Sequence, residues 1–152
     1  MKTKAFYLSA VFILCSFMAA ASWPPWFAIN QYNKKGERHG RWVYYWDSTN
    51  KIPMNKLRFK NGHEFGLNRY YSEKGKVWLK FKARKDGRMK VTYYDENGRK
   101  ERKGKALMII DPLEVRYSWN GKWRFYKNGK LVKTVVYEMG LPLEEEMGNS
   151  GQ

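Results

Sequence analysis

The side chains able to do acid–base, nucleophilic or metal chemistry are few, and their spacing favours none of it. Only two histidines occur, His39 and His63, each inside a glycine-rich stretch, and the single cysteine, Cys15, is far from both in the chain. A structural zinc site takes four nitrogen or sulfur ligands at defined spacing, and these residues fall short of that. Neither a Gly-x-Ser-x-Gly elbow nor a Gly-x-x-x-x-Gly-Lys-Ser/Thr phosphate loop is present. The glycines recur beside asparagines instead, which points to turns. Among the acids, Glu64, Glu73, Asp95, Glu96 and Glu101 fall mostly at expected turns, where carboxylates are solvated. Glycosidase chemistry would need two of them facing one another across a cleft. The chain therefore reads as non-enzymatic, with no metal or cofactor implied; an enzyme acting on an envelope polysaccharide is the alternative.

Binding chemistry is better represented. Lys80, Lys82, Arg84, Lys85, Arg88 and Lys90 form one basic cluster, and Arg99, Lys100, Arg102 and Lys103, followed by Lys105, form a second. Tyr70, Tyr71, Trp78, Tyr93 and Tyr94 interleave with them. Cations among aromatic rings can contact phosphates and stack on planar groups. A plainer reading stays open: the lysines are the solvent face of a sheet and protect its edges from aggregation.

The elements that would position these groups follow from an internal repeat. Gly36 to Tyr45 contains Gly40-Arg-Trp42-Val-Tyr44-Tyr45, and Gly62 to Tyr71 repeats it as Gly66-Leu-Asn68-Arg-Tyr70-Tyr71. A third unit from Gly87 keeps the pair Tyr93-Tyr94 with its glycine displaced. A fourth reads Gly121-Lys-Trp123-Arg-Phe125-Tyr126. The paired aromatics are 26, 23 and 32 residues apart. Asn61-Gly62, Asn97-Gly98, Asn120-Gly121 and Asn128-Gly129 are dipeptides suited to tight hairpin turns. Between them apolar and charged residues alternate. Leu57 and Phe59 oppose Lys56, Arg58 and Lys60, while Val77, Leu79, Phe81 and Ala83 oppose Trp78, Lys80, Lys82 and Arg84. Leu131, Val135 and Tyr137 share a face interrupted by Lys133. Period two with one apolar side predicts an antiparallel sheet, here an all-β meander of at least eight strands. Trp42 and Tyr71 are expected in its core.

The runs Gly40 to Tyr45 and Lys122-Trp-Arg-Phe-Tyr-Lys-Asn-Gly-Lys130 resemble the MORN-repeat proteins, specifically the short bacterial variant that includes the YwqK-type antitoxin family. The likeness extends over residues 36–140, with a divergent hairpin at Lys105 to Trp119. It implies an elongated single-layer β-meander, a scaffold or binding role, and, as an alternative function, an immunity protein that neutralises a toxin.

The chain ends carry localisation signals. Lys2 and Lys4 precede an uncharged apolar run from Ala5 to Met18, and Ala19-Ala-Ala-Ser22 supplies small residues for cleavage. Residues 1–21 read as a signal peptide, so the protein is expected in the periplasm, the cell envelope or outside the cell. An uncleaved anchor, or lipidation at Cys15, would tether it instead. Residues 22–35 read as an extended approach, and 141–152 as a flexible acidic tail. The whole chain has 30 Lys+Arg and 14 Asp+Glu; loss of Lys2 and Lys4 with the signal leaves 28 against 14, a net of +14. Charge of this size speaks to partners. Export argues against nucleic acid and towards a protein partner or an anionic envelope surface of lipid, lipopolysaccharide or teichoic acid.

Overall fold

Local turn chemistry sets the hairpins. Asn61-Gly62 and Asn128-Gly129 each place two consecutive residues in the left-handed region, at φ 51° and 80° and at 50° and 80°. That geometry matches the twist of the flanking strands. Met139-Gly140 does the same at 49° and 89°, a turn that no asparagine announces. Asn97-Gly98 belongs to a longer loop, in which the Gly98 N–H donates to Asp95 and the Asp95 N–H to Arg99. The same closure recurs at Asn33–Glu37, Ser72–Lys76 and Arg84–Arg88.

The computed structural model describes residues 28–111 and 114–148; the signal segment lies outside them. Eleven strands succeed one another: β1 (Gln31–Tyr32), β2 (Arg38–Tyr45), β3 (Pro53–Lys60), β4 (His63–Glu64), β5 (Gly66–Tyr71), β6 (Val77–Ala83), β7 (Arg88–Tyr94), β8 (Lys100–Ile110), β9 (Val115–Lys127), β10 (Lys130–Glu138) and β11 (Leu141–Met147). They form one antiparallel sheet in chain order, with the short β4 folded back on β3. Among the described residues there is no helix.

Two expectations need correction. Asn120-Gly121 is not a turn but lies inside β9, where Gly121 at φ 73° accompanies a register shift against β8. Residues 141–147 are not a flexible tail. The Met139-Gly140 turn returns them onto β10, where Val135 pairs with Glu145 and Thr134 with Glu146. All seven residues are exposed, as befits a charged edge strand. At the other end Gln31 and Tyr32, within the approach segment, already belong to the sheet, since Gln31 pairs with His39 and the Tyr32 ring meets Trp42 edge-on at 5.1 Å.

One face of the sheet carries the core. Trp42, Leu57 and Phe59 form one buried group, and Phe81, Ala83, Met89, Val91, Ala106, Met108 and Trp123 form a larger one. Each unit is keyed by a glycine with positive φ, and the residue two positions on is buried: Trp42 after Gly40, Asn68 after Gly66, Met89 after Gly87, Trp123 after Gly121. The third unit thus keeps the pattern with methionine for tryptophan. Two extra residues before Tyr93-Tyr94, one full pleat, explain why its glycine looked displaced.

Asn68 is fully buried. The β3–β5 pairing extends only over Asn55↔Tyr70 and Lys56↔Arg69, because β4 interrupts it. The Arg58 N–H donates to Asn68 Oδ1 at 2.7 Å, and Asn68 Nδ2 donates to the Gly66 carbonyl at 3.1 Å. The side chain thus replaces a missing ladder rung. Asn68→Leu is expected to lower stability by about 1–3 kcal/mol through the orphaned backbone groups, measured by urea denaturation. A variant as stable as the parent would show that the rung is dispensable.

Candidate functional site

The paired aromatics divide the labour between the two faces of the sheet. The first ring of each pair packs on the core. Trp42 lies 5.9 Å from Tyr44, Tyr70 stacks on Phe81 at 6.2 Å, Tyr93 is 6.2 Å from Trp123, and Phe125 is 6.3 Å from Trp119. In three of the four pairs the second ring lies on the other face beneath a lysine: Tyr71 under Lys56 at 5.6 Å, Tyr94 under Lys80 at 5.6 Å, and Tyr126 under Lys103 at 5.5 Å. Tyr71 is therefore not a core ring. Register shifts accompany the pairs, between Tyr44 and Tyr45, Tyr70 and Tyr71, and Tyr93 and Tyr94. Successive side chains of a strand point to opposite faces, so the two adjacent rings serve opposite sides, and the bulge re-aims them locally.

Bulges also explain two failures of strict alternation. Trp78 falls at the shift between β5 and β6, and its ring lies 5.9 Å from Tyr70 and 6.3 Å from Tyr93, at the edge of the core, with its open side towards Lys74 and Lys76. Leu131 is cut off from Val135 by the shift between Leu131 and Lys133 and is exposed. Lys133 takes that position, its ammonium 5.4 Å above the Phe125 ring and 3.1 Å from Glu145.

Cross-strand partners share a face, and following them across the sheet brings the cations together. One row runs Lys56, Arg69, Lys80, Thr92, Lys103, Arg124 from β3 to β9. Beside it Leu67, Lys82, Lys90 and Lys105 form a second. Neither row contains an acid, and the first continues through Thr134 of β10 to Glu146 of β11. Neighbouring strands lie about 4.8 Å apart, and like charges directly opposite one another cost stability. In water each such contact costs roughly 1 kcal/mol. The lysines partly offset this by lying on tyrosine rings.

The residues expected to bind separate accordingly. Lys80, Lys82, Lys90 and Lys103 belong to the rows, and Lys100 stands opposite Tyr94. Arg84, Lys85 and Arg99 sit at turns, while Arg88 is drawn to Asp86 at 2.5 Å. Arg102 is on the core face, its guanidinium 4.4 Å above Tyr93 and 5.5 Å from Trp119. Lys56, Arg69 and Arg124 complete the row but were hidden in sequence by their distance from the clusters. Among the described residues no group of three metal-ligating side chains occurs.

The core face is not flat. The Tyr117 hydroxyl of β9 donates to the Glu64 carboxylate of β4. β4 pairs with β3 on the side that β5 occupies, so a flat sheet would hold it roughly 19 Å from β9 at the usual strand spacing; the sheet therefore curls round this face. The cleft enclosed is about 270 Å³, floored by Leu79, Phe81, Met89 and Val91. Tyr70, on its wall, has its phenol pushed up to about 12, chiefly by burial and then by the Glu64 charge. Burial and the Glu64 hydrogen bond also push Tyr117 up. The folded chain therefore keeps the Tyr70 proton where the unfolded phenol, near 10.0, has lost it. Stability from this source is complete below pH 10 and is lost as pH rises towards 12. The melting temperature should fall over that interval, and less steeply in Tyr70→Phe; equal slopes would rule out Tyr70 as a source.

No family model, curated protein or solved structure matches the chain. The geometry of the basic face is accordingly the ground for a functional reading.

Proposed function

We propose that this chain is an exported, non-enzymatic MORN-like repeat scaffold that holds an anionic, phosphate-bearing envelope surface against its basic sheet face. The observation that carries the reading is the row Lys56–Arg69–Lys80, three cations on adjacent strands with no acid between them. A solvent face that served solubility alone would gain from interspersed acids, which lower the repulsion between neighbours. Along the first row an acid appears only at the far edge, where Glu146 of β11 stands opposite Thr134. An anionic layer would relieve the repulsion across the whole face at once. The lysines resting on Tyr71, Tyr94 and Tyr126 are already ordered, which reduces the side-chain entropy lost on binding.

Sedimentation with phosphatidylglycerol vesicles tests this reading. Binding is expected at low salt and should weaken steeply as the Debye length shrinks, with no binding to phosphatidylcholine vesicles. Equal binding to both lipids, or binding indifferent to salt, would remove the electrostatic basis of the proposal.

A further inference from the structure

We infer that the basic face receives a phosphorylated sugar at one end, in a groove that joins two exposed tryptophans to the cation row. This rests on the basic face being an anion-binding surface and specifies what the anion is attached to. Trp46 and Trp78 are 43% and 41% exposed, whereas Trp42 and Trp123 are buried. Both open rings are held in place. The Trp46 indole N–H donates to the Tyr71 carbonyl at 3.1 Å, and Trp78 rests against Tyr70 and Tyr93. Fixed indoles with uncovered faces are platforms, and they wall a groove of about 610 Å³ with Ser72, Glu73, Glu96 and Asn97 on its rim. That size suits a small ligand. A pyranose ring fits the chemistry, with a C–H face that packs on an indole and hydroxyls that donate to carboxylates and amides.

The groove does not end there. A second depression of about 470 Å³ shares Lys76, Val77, Tyr94 and Asn97 with it and continues to Arg69 and Lys80. Those two cations are neighbours in the basic row. A sugar seated on the indoles thus directs a phosphate substituent to Arg69 and Lys80. The acids set this polarity. Asp95 Oδ1 is taken by the backbone N–H groups of Asn97 and Arg99, at 2.9 and 2.8 Å. The Lys76 ammonium donates to the Glu96 carbonyl at 2.8 Å. Glu73 and Glu96, with Lys74 and Lys76 beside them, supply acceptors for sugar hydroxyls at the turn end, whereas the continuation is lined by Arg69, Lys76 and Lys80 with no carboxylate and receives the phosphate.

Calorimetric titration of the full chain with glucose 6-phosphate, glucose, inorganic phosphate and uridine 5′-monophosphate tests the inference. Glucose 6-phosphate should bind at least tenfold more tightly than glucose or inorganic phosphate alone. Trp46→Ala, still folded at the titration temperature, should reduce glucose 6-phosphate to the affinity of inorganic phosphate. Arg69→Gln with Lys80→Gln should reduce it to the affinity of glucose. Lipopolysaccharide and teichoic acid both carry phosphate beside a sugar. Whichever displaces glucose 6-phosphate identifies the source, and displacement by neither overturns the inference. So does equal binding of glucose 6-phosphate and inorganic phosphate, an unaltered Trp46→Ala, or tighter binding of the nucleotide. Phosphatidylglycerol vesicles, bound equally by parent and Trp46→Ala, separate the two proposals: their binding survives failure of the sugar inference and disappears only if the basic-face reading fails.

Discussion

Gly104→Ala is expected to destabilise the chain by about 3 kcal/mol, and so to lower its melting temperature by roughly 10 °C. A Cβ at this position in β8 would lie 2.3, 2.4 and 2.5 Å from three atoms of the Trp123 ring, far inside van der Waals contact. Trp123 cannot step aside. It is fully buried, stacks on Trp119 with centroids 3.8 Å apart, and donates its indole N–H to the Lys105 carbonyl at 2.7 Å. Overpacking a rigid core costs about 1–3 kcal/mol and more where nothing relaxes. The other route, expelling the ring, forfeits about 3–5 kcal/mol. Both are large beside a total stability of about 5–15 kcal/mol.

A double-mutant cycle identifies the cause. With Trp123→Leu as background the methyl group has room, and Gly104→Ala should cost less than about 1 kcal/mol there. A coupling of about 2 kcal/mol would assign the effect to this one contact. An alanine penalty that is equal in both backgrounds would place its origin elsewhere, in the strand or in the unfolded chain.

Sequence alternation was legible wherever a strand runs straight. Leu57 and Phe59 are buried between exposed Lys56, Arg58 and Lys60, as their spacing requires. It misled at Trp78 and Leu131 because each sits at a register shift, and a bulge reverses the parity of the residues beyond it. The warning was present: two large aromatics side by side, as in Tyr70-Tyr71, cannot both face one core without a bulge or a division between faces. Asn68 looked like a weakened repeat position, yet it is buried as a hydrogen-bonding rung, because sequence does not reveal that β4 breaks the ladder. The Glu64–Tyr117 contact was out of reach for the same reason. It joins residues that are distant in the chain and also separated across the sheet, so it depends on accumulated curl.

The basic site shows this limit most clearly. Runs such as Lys80 to Lys90 drew attention because charge is dense along the chain, but charge dense across the strands is what a flat partner meets. Arg69 belongs with Lys80 through register, while Arg102 is lost to the core face by a single step of the same strand that carries Lys103. Local density and spatial density coincide at Lys80, Lys82, Lys90, Lys103 and Lys105.

Neutralising Lys56, Arg69 and Lys80 together as glutamines should weaken binding to phosphatidylglycerol vesicles about 100-fold or more. Each basic residue near an anionic membrane contributes roughly 1 kcal/mol, and each 1.4 kcal/mol is a factor of about ten. The proper control removes the same charge from the turns, as Arg84→Gln, Lys85→Gln and Arg99→Gln. It alters the net charge identically while leaving the rows whole, and should weaken binding several-fold at most. The two variants also differ in stability. Glutamines at Lys56, Arg69 and Lys80 relieve cross-strand repulsion but forfeit the cation–ring contacts on Tyr71 and Tyr94, so the melting temperature should change little. Loss of binding with the fold intact would locate the function in the row. Equal loss in both variants would mean that net charge alone attracts the vesicle, leaving the ordered row without a role in recognition.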